Sequence, residues 1–563
     1  MTHNRIRRLA ATAAAGVLVV AAAAAPAASA ATTPRPGTSP GASASAAAAT
    51  TQTGQPGRAA LVPRTSQAAT VAAASTRARG ARRLPKLAAA QTSPSAAAPT
   101  AATATAAPAS ALLRTFNGTS SRDSQFTNYN ATFEPPDQGL CVGAGYVLEP
   151  VNSAYRIFTT SGTSIRGPFN VNDLFNEGGK EFTSDPRCWY DPSTHSWFAV
   201  ILFLNSTSTE GRIDIAVNPT PDPTGQWTEY QIDNTFDGRN GEPNLPGCPC
   251  FGDQPRLGID QTNLYVTTDE FSILGPQYYG GQIYAISKAD LVAAVASPHF
   301  VRFGNLTLGG AVAGAPQPAL SVGSPDAEYF LSQLDPNSTG DHRVGVWAMT
   351  ERDKVGQGNS PVLSKQVVDT EPYAFPPPAP QRGSTSTLDS GDDRMQQASW
   401  VNGELWGALG TALRPAGDSV DRAGIAWFAV RPTLAGDHLS AVAVQRQGYL
   451  GVRGESLLYP ALQPDAAGNA AVVFTDVGSH RYASAAFAVL TAGGAGFSAP
   501  QIAAAGHGPY DKNATRWGDY SFAVPDWTTD GAWLATEYVP PRSSQTTTGA
   551  SNWGTQVLRV RLG

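Results

Sequence analysis

Asp185–Leu202 reads DPRCWYDPSTHSWFAVIL. A polar, proline-containing opening leads into a short run of mixed residues. A turn follows, rich in Asp, Pro, Ser and Thr, and then an unbroken apolar run begins at Trp197. Side chains of that kind between two β-prone segments hydrogen-bond their own backbone and reverse the chain, so the stretch reads as a hairpin. The second arm has no polar alternation, which marks a strand buried on both faces.

The same cadence recurs along the chain. It opens at Asp137 (DQGLCVGAGYVLEPVN), Asp253 (DQPRLGIDQTNLYVTTDE), Gln317 (QPALSVGSPDAEYFLSQL), Asp393 (DRMQQASWVNGELWGALG), Tyr459 (YPALQPDAAGNAAVVFTD) and Arg516 (RWGDYSFAVPDWTTDGAWLATEY). Seven openings at a mean spacing of about 63 residues leave room for four strands each. One such sheet cannot bury both faces alone, whereas a ring of them buries each against the next. A two-sheet sandwich uses roughly seven to nine strands, and more than twice that number is legible here. The expected fold is all-β, a single β-propeller over 111–563, seven-bladed, with six or eight blades as the alternatives. Lys288–Ala296 is the one segment that reads as a helix. Leu112–Asn117, apolar and ahead of the first unit, is expected to pair with the C-terminal strand and close the ring.

Upstream, Arg5, Arg7 and Arg8 precede an Ala-rich apolar run and Ala-Ser-Ala at 28–30, the layout of a signal peptide. Residues 31–110 are mostly Ala, Thr, Ser, Pro and Gly, too poor in apolar bulk to offset the entropy of ordering, and read as a disordered linker. Residues 1–110 hold 11 Lys or Arg and no Asp or Glu, which leaves the folded part with 28 basic and 44 acidic residues, a net −16. That charge argues against nucleic acid, whose binding rests on neutralising phosphates. It fits a secreted, extracellular, monomeric protein with no membrane span after processing.

The runs SDPRCWYDPSTHSWF (184–198), NPTPDPTGQWTEYQI (218–232) and TRWGDYSFAVPD (515–526) resemble secreted bacterial β-propeller proteins of the sialidase-like superfamily type. The resemblance covers about 137–563 and implies fold and export, and carries over no reaction. TPDPTGQW is close to the sialidase Asp-box with its Gly displaced by one position, and that box is a turn motif.

Cys141, Cys188, Cys248 and Cys250 are expected to form disulfides in an exported chain, with three connectivities open. Cys141 and Cys188 fall at nearly equal offsets after the Asp of adjacent units, which favours pairing them and leaves Cys248 with Cys250. No zinc, phosphate-loop or metallohydrolase spacing occurs, so no metal site or cofactor is expected. Calcium enters only as an alternative at Asp233–Glu242, where oxygen-bearing residues alternate around Gly238 but the spacing departs from a calcium loop.

The openings supply Asp137, Asp185, Arg187, Asp253, Arg256, Asp392, Asp393, Arg394, Arg516 and Asp519. Inner strands of a propeller run the same way along its axis, so these side chains should meet at one channel mouth. Asp185, Arg187, Asp253, Arg256, Asp393, Arg394, Arg516, Asp519 and Tyr520 are therefore the candidate ligand site, or else ion pairs that hold the ring. The expected function is binding of an extracellular polysaccharide or cell-wall polymer there, with Trp189, Trp197, Trp400, Trp406, Trp517 and Trp527 available for stacking. The alternative is a glycoside hydrolase or polysaccharide lyase acting on an acidic polysaccharide, with Tyr520 as acid, base or nucleophile.

Overall fold

Each recurring segment folds as its residue pattern dictates. In the second, Phe182–Asp191 turns through Pro192–His195 into Ser196–Leu204, and Trp197, Phe198, Ala199, Val200 and Ile201 are all fully buried. Gly211–Asn218 and Thr228–Asp233 extend the meander. The Asp-box-like stretch is the turn between them: Asp222 accepts from Thr224 N–H at 2.9 Å, and the Trp227 indole donates to the Pro223 carbonyl at 3.0 Å.

The computed structural model describes residues 51–62, 100–101, 111–131, 133–179, 181–334, 340–512 and 516–563. Among them the chain forms seven successive antiparallel units of four strands. Their first strands are Cys141–Gly143, Phe182–Asp191, Cys250–Ile259, Gln317–Val322, Met395–Val401, Glu455–Pro464 and Phe522–Asp526, and they contact one another in that order, the seventh against the first. The result is an all-β ring. The seventh unit takes its outer strand from the other end of the domain. Leu112–Ser120 pairs with Gly554–Arg561, with Phe116 opposite Val557 and Asn117 opposite Gln556.

The core lies between neighbouring units. Tyr265, Ile283 and Phe303 of the third pack on Phe330, Trp347 and Leu363 of the fourth, and Trp406 and Trp427 of the fifth pack on Val472 and Phe474 of the sixth. Each fully buried side chain of this size contributes roughly 1.5–3 kcal/mol, so the interfaces hold the ring. Trp189, Trp197, Trp400, Trp406 and Trp517 are buried, which places them in this packing and removes them as stacking platforms. Both disulfides form as the offsets indicate, Cys141–Cys188 with Cα atoms 5.5 Å apart and Cys248–Cys250 with 4.6 Å.

Three features depart from the sequence reading. Helices form at Ser121–Thr127 and Val171–Leu174 as well as at Lys288–Val292. The first starts at a reciprocal cap in which Ser120 and Asp123 satisfy each other's end. Second, part of the stretch read as linker is ordered. Gln52–Thr53, Gln55–Arg58 and Ala60–Leu61 add an edge strand to the fourth, third and second units in turn, and Thr100–Ala101 lies beside Arg414–Pro415. Outer strands offer unpaired backbone groups, and Gly54 and Gly57 let this segment lie flat on Val301, Phe303 and the Phe300 ring, where a Cβ would come within 2.4 Å. Small residues here serve close approach and not flexibility. Third, Asp393 lies beneath the surface, as described below. The segment 1–30 read as a signal peptide and the rest of the linker lie outside the described residues.

Candidate functional site at the channel mouth

Three inner strands share a local device. The second, third and sixth units each carry a bulge where a residue precedes proline: Asp185-Pro186, Gln254-Pro255 and Tyr459-Pro460. Asp185, Gln254 and Tyr459 have φ of 59°, 52° and 52°, and Asp137 ahead of the first unit has 46°. Non-glycine residues seldom enter this left-handed region. A bulge re-aims the side chains beside it, and proline is tolerated there because no ladder N–H is required.

The re-aimed residues meet. Around the first, second and seventh units, Asp137 accepts from Asn152 Nδ2 at 2.7 Å and from the Asp519 N–H at 2.9 Å. Asn152 in turn accepts from the Asp185 N–H at 2.7 Å, and Tyr520 Oη donates to Asp185 Oδ2 at 3.3 Å. The Arg187 guanidinium lies over the Tyr520 ring, 3.5 Å from its centre. Arg516 Nη1 donates to Asp519 Oδ1 at 2.7 Å and lies 3.7 Å from Asp389.

Around the third and fifth units, Arg256 Nη2 donates to Asp269 Oδ2 at 2.9 Å. Arg394 is held by Asp392 at 2.7 Å, reaches Asp269 at 3.7 Å and bonds Gln254. Asp253 stands opposite Asp269 on the adjacent strand and accepts from the Gln254 N–H at 3.0 Å.

Four guanidiniums thus face seven carboxyls, and four of these, Asp137, Asp185, Asp253 and Asp269, are shifted in different directions. Burial, then Asp519 and Asp185, push Asp137 well above the carboxylate range. Burial raises Asp185 against the pull of Arg187. Asp253, partly open to solvent, is pushed up to about 8 by burial and by Asp185, with Arg394 opposing. Burial acts on Asp269 in the same direction, but Arg256, Arg394, Tyr278 Oη and the Ala315 N–H together overturn it and hold this carboxyl below its usual range. Burial also raises Tyr520 well above the phenol range, with Asp185 adding to it and Arg187 opposing.

Of the residues nominated from sequence, Asp185, Arg187, Asp253, Arg256, Arg394, Arg516, Asp519 and Tyr520 come together here. Asp393 is fully buried and near Tyr373, and Asp392 takes its place at the mouth. Asp269, Gln254, Asp389 and Tyr459 were missed. For Gln254 and Tyr459 the signal was the X-Pro position shared with Asp185. The space among Gln254, Arg256, Asp392, Arg394, Tyr459, Asp519 and Tyr520 is about 20 Å³, room for one water.

In the loop Asp233–Glu242, Asp237 Oδ1 accepts from the Arg239 N–H at 3.1 Å and Glu242 Oε2 from the Asn240 N–H at 2.9 Å. Among the described residues no group of three or more His, Cys, Asp and Glu is placed to hold a metal, and no helix is long and apolar enough to cross a membrane.

No protein-family model and no curated protein matches the chain. Solved structures similar to it include the GH93 α-L-arabinofuranosidase of Fusarium graminearum, at 11% identity over 79% of this chain and 98% of that one, with a TM-score of 0.33. The GH43 endo-arabinanase of Bacillus licheniformis is 12% identical over 54% and 96%, with a TM-score of 0.27. The N11 neuraminidase-like protein of A/flat-faced bat/Peru/033/2010 is 11% identical over 58% and 73%, with a TM-score of 0.25. Likenesses this distant carry no argument about ligand or reaction.

Proposed function

We propose that this chain is a secreted, seven-bladed β-propeller that binds an extracellular polysaccharide across its channel mouth. The observation that carries the reading is Arg256. Its Nη2 is paired with Asp269, but its Nη1, buried at the mouth, makes no hydrogen bond, and Asp253 beside it keeps part of its surface in solvent. A buried donor without a partner costs about 1–3 kcal/mol, which a ligand oxygen would recover. A space of about 20 Å³ does not enclose a sugar ring, so the polymer lies over the mouth and reaches the buried Arg256 through one bridging water. Two disulfides suit an oxidising, extracytoplasmic setting. The reading needs no metal or cofactor.

A second reading, a glycoside hydrolase on an acidic polysaccharide, has its own support in the Asp253–Asp269 pair. One carboxyl is raised to about 8 and the other held ionised, and environments that split two acids in this way set acid and base roles. The experiment that separates the readings incubates purified protein with plant and bacterial polysaccharides and measures retention and released reducing ends together. Retention without release, weakened in Arg256→Ala and Arg516→Ala while both still fold, supports binding. Release abolished by Asp253→Asn supports hydrolysis. Neither retention nor release would overturn both.

A further inference from the structure

A second cavity, of about 320 Å³, lies at the seam where the ring closes and shares no residue with the mouth. Three separate parts of the chain build it. The closing strand gives Asn117–Ser120, the third strand of the first unit gives Arg156 and Phe158, and the seventh unit gives Tyr538, Ser543, Ser544 and Thr555. Its size falls at the lower end of the roughly 300–1,000 Å³ of small-molecule sites, which fits one sugar ring and not a chain of them.

The lining is unusually polar and mostly pre-positioned. Tyr538 Oη donates to Asn117 at 2.8 Å, and Thr119 and Ser120 are fixed by Glu149 and Asp123. Arg156 lies 5.2 Å from the centre of the Phe158 ring and donates to Asp123 at 3.3 Å. Arg122, exposed at the rim, donates to the Ser543 carbonyl at 3.0 Å. The hydroxyls of Ser164, Ser543 and Ser544 are not engaged by any described residue. Two guanidiniums stand against Asp123 and, behind Thr119, the Glu149 carboxyl, which burial raises against the pull of Arg156, and a planar fork braced on a ring is suited to a carboxylate.

We infer that the seam cavity binds a single hexuronic acid unit, its carboxylate on Arg156 and Arg122 and its ring hydroxyls on the serines. Because the cavity joins the closing strand to the first and seventh units, occupancy stabilises the closed ring by mass action. The site is independent of the mouth and of whether the mouth binds or cleaves.

The test uses the full chain, with D-glucuronate, D-glucose and acetate as probes, read by calorimetry and by Tm. Glucuronate is expected to bind and raise Tm, with glucose weaker by about tenfold, the worth of one hydrogen bond to a charged group, and acetate without effect. Arg122→Ala, an exposed change that leaves folding alone, weakens glucuronate while sparing glucose. Ser544→Ala weakens both sugars. Equal affinity for glucose and glucuronate, an effect of acetate alone, or insensitivity to both Arg122→Ala and Ser544→Ala would overturn the inference.

Discussion

Asp253 and Asp269 stand directly opposite each other on adjacent strands of the third unit, and their carboxyls are driven in opposite directions by the same neighbourhood. Asp253 is raised to about 8, so its neutral form is favoured by folding. Such a group contributes stability that is fully present below its unfolded pKa, near 4, and is lost as pH rises through 8. Asp253→Asn mimics the neutral form at every pH. Its Tm should match the parent near pH 4 and exceed it by a growing margin up to about pH 8, as melting curves across that range will show. A constant offset would mean that Asp253 titrates normally.

The two disulfides should differ in worth by their loops alone. With a sequence separation of 47, Cys141–Cys188 contributes about 4 kcal/mol in the chain-entropy model, whereas a separation of 2 gives about 1 kcal/mol for Cys248–Cys250. Denaturant unfolding of the two paired alanine variants measures both, and equal losses would reject the model here.

Deleting residues 111–120 removes the strand paired with Gly554–Arg561. It bares a sheet edge and opens the contact between the seventh and first units, so Tm should fall by several degrees and light scattering should report self-association. Unchanged melting and monodispersity would show that the ring closes without it.

Gly57→Val places a Cβ within 2.4 Å of the Phe300 ring. The segment 51–62 should lift from the third unit, speeding proteolysis within it and hydrogen exchange along His299–Phe303, while the melting of the ring itself stays unchanged. Undiminished protection would mean that Phe300 rotates away.

The repeat was legible because it rests on local chemistry: polar openings, Asp and Pro turns and apolar second strands declare themselves within twenty residues. Cys141 with Cys188, and Leu112–Ser120 as the missing strand, followed from counting offsets within that repeat. The mouth was legible in part for the same reason. Asp185 and Arg187 sit at the register that the repeat assigns to the rim, and a one-residue slip separates Asp393, which is buried, from Asp392, which is not. Asp269 was hidden because it lies on a second strand and reaches the rim only through cross-strand pairing with Asp253. Residues 51–62 were hidden because their order comes from the edges they cover and from nothing in their own composition.

The pairing of Phe116 with Val557 has a consequence in time. A strand made at the start of the domain waits for one made more than four hundred residues later, so no nascent chain short of the final strand has anything to lock against. Six of the seven sheets are complete before then, yet the circle they compose stays open until that strand has been made. The domain therefore acquires its shape in a single late step, and a truncated product remains an open arc.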